Sequence, residues 1–162
     1  MPLIEDLYAK QRARQVEIIP FIYSTSFANS VIAASATVAQ NVPIQADSHF
    51  VCRYVNALAY TGGLAVYTTI APLTINFFDT GSGRTIQDNP QPIQNLVGGL
   101  AAGGGAFGNL PFIFPEPWLI RAGGVIQIQI TNLSTTLAIV RLDVSLIGFK
   151  VFKFGTTQPA DM

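Results

Sequence analysis

In Val125-Ile126-Gln127-Ile128-Gln129-Ile130-Thr131, apolar and polar residues alternate without a break from Ile126 onward. Side chains along a β-strand point to opposite faces in turn, so this run predicts a strand with Ile126, Ile128 and Ile130 in a core and Gln127 and Gln129 turned away. Arg121-Ala122-Gly123-Gly124 before it and Asn132-Leu133-Ser134 after it are turn-forming. A second alternating run follows from Ala138 to Leu146, with Ile139, Arg141, Asp143 and Ser145 set against Val140, Leu142, Val144 and Leu146. Residues Gly148 to Phe154 read as a further, closing strand.

The same period extends toward the N-terminus. His49 to Tyr60 reads as a long strand, with Phe50, Cys52 and Tyr54 on one face and Val51, Arg53 and Val55 on the other. Thr61-Gly62-Gly63 turns the chain, and Leu73 to Phe78 is another strand, ended by the loop Asp79-Thr80-Gly81-Ser82-Gly83 with Arg84 closing it. Val16 to Tyr23 is β-branched and aromatic, but Pro20 cannot donate to a ladder, which places this strand at an edge or a bulge. Ser30 to Gln40 alternates loosely, before a turn at Asn41-Val42-Pro43. Asn89-Pro90-Gln91-Pro92 blocks regular structure, and Gly98 to Gly108 is a glycine-rich loop that is either mobile or held by an interface. Leu110 to Trp118 is extended and apolar, with Pro111, Pro115 and Pro117 among Phe112, Phe114 and Trp118. Seven to nine strands with no helix in the body predict an all-β fold, an antiparallel jelly-roll-like sandwich. Connections longer than a two-residue hairpin favour the jelly roll. Residues 3–15 hold good helix formers with Leu3, Leu7 and Tyr8 on one face, giving a short N-terminal helix or arm. The expected division is an arm over 1–20, a sandwich over 21–154 and a polar tail over 155–162.

Composition narrows the function classes. Hydrophobic residues make up 49% of the 162 and charged residues only 11%, against about 25% in an average soluble domain. Six of the charged side chains (Glu5, Asp6, Lys10, Arg12, Arg14 and Glu17) crowd into the first 17 residues. No apolar run approaches the roughly 20 residues of a membrane helix, and the spread of Ile, Val, Leu and Phe argues against disorder. A surface largely covered by neighbouring subunits is what remains. The net charge is +0 and basic residues form no run, so neither nucleic acid nor membrane is an expected partner. The single cysteine, Cys52, forms no intrachain disulfide, and the N-terminus lacks a basic-then-apolar signal pattern.

The residues offer little chemistry. One histidine, His49, follows Asp47 and Ser48, but no nucleophile elbow surrounds any serine, and the plainer reading is a strand start. Cys52 reads as a buried structural thiol. One His and one Cys cannot build a zinc site, and the carboxylates have the wrong spacing for a calcium loop. Glu116 has no identifiable carboxylate partner for glycosidase chemistry. Gly81-Ser82-Gly83-Arg84 and Gly103-Gly104-Gly105 match no nucleotide-binding pattern and read as loops. Trp118, Phe112, Phe114, Tyr60 and Tyr67 could stack on sugar rings, although aromatics scattered through a β-domain are more often core. A protein that is not an enzyme, with no cofactor and no metal, is the expectation.

Four stretches carry a resemblance. They are Pro43-Ile44-Gln45-Ala46-Asp47-Ser48-His49-Phe50; Leu73-Thr74-Ile75-Asn76-Phe77-Phe78-Asp79 with Gly83-Arg84; Pro111-Phe112-Ile113-Phe114-Pro115-Glu116-Pro117; and Gly123 to Ser134 with Leu142 to Lys150, ending in Leu146-Ile147-Gly148-Phe149-Lys150. Together they resemble small structural proteins of tailed bacteriophages. The resemblance implies a jelly-roll or β-sandwich virion component: a capsid cement or decoration protein, or a neck, collar or tail-fibre adaptor. The expected partners are further copies of the chain in a homo-oligomer and the major capsid protein or other virion proteins, with assembly in the host bacterial cytoplasm. Nothing catalytic transfers. A carbohydrate-binding module for host attachment is the rival reading. The expected contact residues are Leu3, Leu7 and Tyr8 in an arm crossing onto a neighbour, and Phe107, Phe112, Phe114 and Trp118 in the glycine–proline region.

Overall fold

The computed structural model describes residues 2–27, 32–60, 72–95 and 111–161. In chain order these form helix α1 (Pro2–Arg12) and strands β1 (Val16–Ser26), β2 (Thr37–Pro43), β3 (His49–Tyr60), β4 (Leu73–Asp79), β5 (Arg84–Thr85), β6 (Gln91–Pro92), β7 (Phe112–Ile120), β8 (Val125–Asn132) and β9 (Arg141–Lys153), with a 3-10 turn at Ile93–Asn95. One sheet runs β1-β9-β3-β7; the other runs β2-β8-β4-β5, with β6 also pairing β4. Every pairing is antiparallel. The all-β expectation holds as a sandwich of two antiparallel sheets carrying one short helix.

Period two does its work in β8. Ile126, Ile128 and Ile130 are each fully buried and Gln129 is exposed. Directly opposed residues share a face. Ile130 lies between Val38 and Ile75, and Ile128 between Gln40 and Phe77. These side chains meet Phe50, Cys52, Val55, Leu142, Val144 and Leu146 from the facing sheet. A buried side chain of this size stabilises by about 1.5–3 kcal/mol, so the intersheet layer dominates the energetics.

Four local expectations are corrected. Asn41-Val42-Pro43 is the end of β2 rather than a turn, because Val42 opposes Ile126 and is buried. In β3 the register shifts between Cys52 and Tyr54, a β-bulge that adds a residue and inverts the facing thereafter. Tyr54 therefore joins Val51 on the outer face, while Val55 joins Phe50 and Cys52 in the core. The stretches before and after Gly148 are a single strand, β9, and a Cβ at Gly148 would run into the β3 backbone at Val51 and Cys52. Asn89 to Pro92, expected to be irregular, ends in the two-residue β6.

Both edges of the β1-β9-β3-β7 sheet carry proline inside the strand: Pro20 in β1, Pro115 and Pro117 in β7. Proline lacks the N–H that strand addition requires, which blunts both edges. The edge position read from Pro20 is the observed one.

The N-terminal segment is helical and lies on its own domain. Leu7, 2% exposed, packs with Val16, Val51, Val151 and Ala160, and Leu3, Ile18 and Leu119 adjoin them. The helix ends where Arg14 takes a positive φ of 55°. The Arg14 N–H then donates to the Gln11 carbonyl (3.0 Å) and the Gln15 N–H to the Lys10 carbonyl (2.9 Å), the paired bonds of a Schellman cap. Residues 16–20, expected in the arm, are the first half of β1.

Candidate functional site

The pairing register defines what the β1-β9-β3-β7 sheet presents away from the core. Across the four strands one rung reads Pro20, Phe149, Val51, Leu119, and the next reads Ile22, Ile147, Tyr54, Ile113. The cluster beneath α1 includes Val51 and Leu119 of the first rung. The second rung is open at both ends, with Ile22 57% and Ile113 55% exposed. Between the rungs the Arg53 guanidinium lies 5.1 Å from the Tyr54 ring centre and 5.9 Å from that of Phe149, a cation–π arrangement in a partly dry setting. Its Nε is buried and unpartnered among the described residues. Further along the face, Arg141 grips Asp143 through Nε (2.9 Å) and Nη2 (2.9 Å) while stacking 5.3 Å from the Tyr60 ring. Burial pushes the Asp143 carboxyl up, but hydrogen bonds from Arg141, Ser26 and Tyr60 together with the Arg141 charge more than offset this, and the net shift is downward.

The contact residues expected from sequence divide. Leu7 and Leu3 take part in the chain's own helix–sheet packing; Tyr8 alone of the three is exposed, at 42%. Phe112, Phe114 and Trp118 are partly buried against the main core. They form an edge-to-face series, with ring centres 5.3 Å apart for Phe112–Phe114 and 6.3 Å for Phe114–Trp118. Phe107, Tyr67, the turn at Thr61-Gly62-Gly63 and the loop from Gly98 to Gly108 lie outside the described residues. Sequence reasoning missed the Ile22–Ile113 rung. Its signal is the run Leu146-Ile147-Gly148-Phe149, where alternation lapses and both faces of β9 become apolar.

The polar side chains around His49 are engaged in the fold. Ser48 Oγ donates to Asp47 Oδ1 (2.8 Å). His49 Nδ1 accepts the Ala122 N–H (3.1 Å), leaving Nε2–H to donate to the Ala160 carbonyl (2.9 Å). Both imidazole nitrogens thus tie β3 to the β7–β8 turn and to the C-terminal tail, and the sequence neighbours Asp47, Ser48 and His49 form no proton relay. Lys150 is 5% exposed on the inner face, its ammonium 4.5 Å from the Phe21 ring centre. It donates to Gln45 Oε1 and to Asp47 Oδ1 (3.3 Å), which partners the buried charge. Among the described residues no three of His, Cys, Asp and Glu gather as metal ligands, and no helix is long and apolar enough to cross a membrane.

Cys52 is fully buried, and desolvation pushes its thiol up to about 12 despite its hydrogen bond to the Tyr54 carbonyl. The thiolate is the reacting form. Native protein is expected to resist an aromatic disulfide reagent at neutral pH, and labelling is expected to follow global unfolding in urea. Rapid stoichiometric labelling of folded protein would contradict this burial.

The fold is a two-sheet antiparallel β-sandwich with a partly exposed apolar rung on one outer face. Comparison with known proteins found no matching family model, no matching curated protein and no matching solved structure.

Proposed function

We propose that the chain is a structural subunit that works by packing against other subunits, specifically a capsid cement or decoration protein of a tailed bacteriophage. The observation that carries the reading is the apolar rung Ile22–Ile147–Tyr54–Ile113, facing water on a domain with only 11% charged residues. Arg53 and the Arg141–Asp143 pair flank the rung on the same face, and an apolar strip rimmed by polar groups is the usual composition of a subunit contact. Proline at both edges of the same sheet disfavours strand addition, so the face rather than an edge is the mode of contact.

The finer fold supports the same reading. The strand pairs nest as β1·β9, β2·β8, β3·β7 and β4·β5 with β6, and the sheets run β1-β9-β3-β7 and β2-β8-β4-β5. This order supports reading the sandwich as a jelly roll, a single antiparallel ribbon wrapped into two sheets, an architecture used by viral capsid domains. Subunit contacts through the face stabilise a shell by linkage, since they favour the assembled form.

The wild-type chain is expected to form a symmetric oligomer by sedimentation and native mass, and to co-sediment with phage shells at many copies per particle. The double variant Ile22→Glu, Ile113→Glu is expected to dissociate at least about a hundredfold more readily, since central interface residues commonly contribute 2 kcal/mol or more each. Its urea midpoint should stay close to wild type, both side chains being exposed in the monomer. A wild-type chain that stays monomeric at high concentration and ignores shells rejects the proposal. A fixed ring of copies at one vertex would move it to the neck or collar.

A further inference from the structure

The loop joining β4 to β5 and the turn joining β7 to β8 are about forty residues apart in sequence, yet they form the two banks of one groove, of about 810 Å³. Trp118, Arg84, Arg121, Asp79, Ser82 and Thr85 are among its lining residues. The banks are locked together. The Thr80 N–H (3.0 Å) and Oγ1 (2.9 Å) both donate to the Val125 carbonyl, and a Cβ on Gly81 would lie 3.9 Å from the Gly124 Cα. On one bank Asp79 Oδ1 accepts the Gly81 N–H (2.9 Å) and the Ser82 N–H (3.3 Å), while Oδ2 accepts Ser82 Oγ (2.8 Å). On the other, the Gly124 N–H donates to the Arg121 carbonyl (3.0 Å), with Gly123 at a φ of 73°. Ala122 is tied to His49. The groove is preformed, so a ligand would not have to order it.

Its electrostatics are specific. The Asp79 carboxylate is engaged by its own loop, and neither Arg84 nor Arg121 makes an ion pair among the described residues. Two of the chain's nine basic residues therefore stand unpaired beside its one tryptophan. A guanidinium presents a planar fork of donors suited to carboxylate or phosphate oxygens. The part of the Trp118 indole that lines the groove, the rest being packed on Phe77 and Phe114, offers apolar surface for the C–H face of a sugar ring, and Ser82 and Thr85 add hydroxyls.

From this juxtaposition we infer that the groove binds an anionic saccharide, its ring against Trp118 and its acidic group between Arg84 and Arg121. This site is separate from the apolar sheet face and does not depend on the virion reading.

Because Trp118 is the only tryptophan and lines the groove, its fluorescence reports ligand binding there. Wild-type protein is titrated with an oligogalacturonide, with the neutral oligogalactoside of equal length, with a polyol-phosphate polymer bearing sugars, and with acetate and inorganic phosphate. A saturable change is expected with at least one acidic saccharide, at least about tenfold tighter than with the neutral one. The uronide and phosphate polymers decide between carboxylate and phosphate as the anion. Arg84→Gln and Arg121→Gln should each weaken binding by about tenfold, with far-ultraviolet circular dichroism and urea midpoint unchanged, both residues being exposed. Three results would each overturn the inference: silence with both acidic polymers, an equal response to the neutral oligosaccharide, or titration by the small anions alone with the same affinity. Binding that survives both arginine substitutions in folded protein overturns it as well.

Discussion

Replacing Gly148 by alanine is expected to destabilise the protein by about 3 kcal/mol or more, at the upper end of what overpacking costs. A Cβ at this position would stand 2.0 Å from the Val51 carbonyl oxygen, 2.9 Å from the Val51 carbonyl carbon and 3.0 Å from the Cys52 Cα. All three are backbone atoms of β3, so no rotamer change relieves the contact. Relief requires β3 to draw back from β9, and these are the two central strands of their sheet. The contact falls at the β3 bulge, where Cys52 opposes Gly148 before the register shifts. For a domain of this size the loss corresponds to a fall in thermal midpoint of about 10 °C. Gly83→Ala is the control: its φ is 69° but a Cβ there meets nothing within 4 Å, so only the backbone strain of about 1–2 kcal/mol applies. Equal urea midpoints for the two variants would show that close packing at Gly148 is not the cause.

Asn132→Asp is expected to cost about 3 kcal/mol at neutral pH, from lost hydrogen bonds and a buried charge. Asn132 is fully buried. Its Nδ2 donates to the carbonyls of Ile32 (3.0 Å) and Leu137 (2.8 Å), and its Oδ1 accepts the Ser134 N–H (3.0 Å). The side chain thus pins the end of β8 to the segment before β9 and to the isolated bridge between Ile32 and Ile139. Aspartate has the same shape but sets an oxygen against two carbonyl oxygens. Only its protonated form can donate to one of them, so folding would raise the carboxyl's pKa above its ordinary value near 4. The sign follows: between the unfolded and folded values the native state holds more protons, and stability falls as pH rises. The deficit relative to wild type should therefore be smallest below about pH 4 and grow toward neutrality. A deficit that does not change with pH would mean that ionisation plays no part.

How much of this was legible in the residues differs element by element. β3 was read with its observed limits, because His49 to Tyr60 is rich in aromatic and β-branched residues and contains no glycine or proline. Its facing was read correctly only as far as Cys52, since a bulge depends on the partner strands and leaves no local mark at Arg53. Glycine usually punctuates a strand, so a local reading divides β9 at Gly148; in the fold it is the residue that allows two backbones to approach. The helix was legible as a possibility in Leu3, Leu7 and Tyr8, but its docking on Val16, Val51 and Val151 required surfaces drawn from three strands. Asn132 was read as a turn former, which it is, without sign of its full burial.

The site was less legible than the fold. Trp118 and Gly81-Ser82-Gly83-Arg84 each drew notice as isolated features, and the contact between the two loops is what makes them neighbours. The rung Ile22–Ile147–Tyr54–Ile113 takes one residue from each of four strands spread over more than a hundred positions.

Strand existence, the inward isoleucines of β8 and the edge placement of β1 were determined by the residues themselves, because side-chain alternation and the missing proline N–H act within a few positions of the chain. Tertiary structure alone decided which strands share a sheet, where the facing inverts, which polar side chains are enclosed and which apolar ones are left in water. Those outcomes rest on pairings between segments tens of residues apart, and a period of two carries no information about the partner.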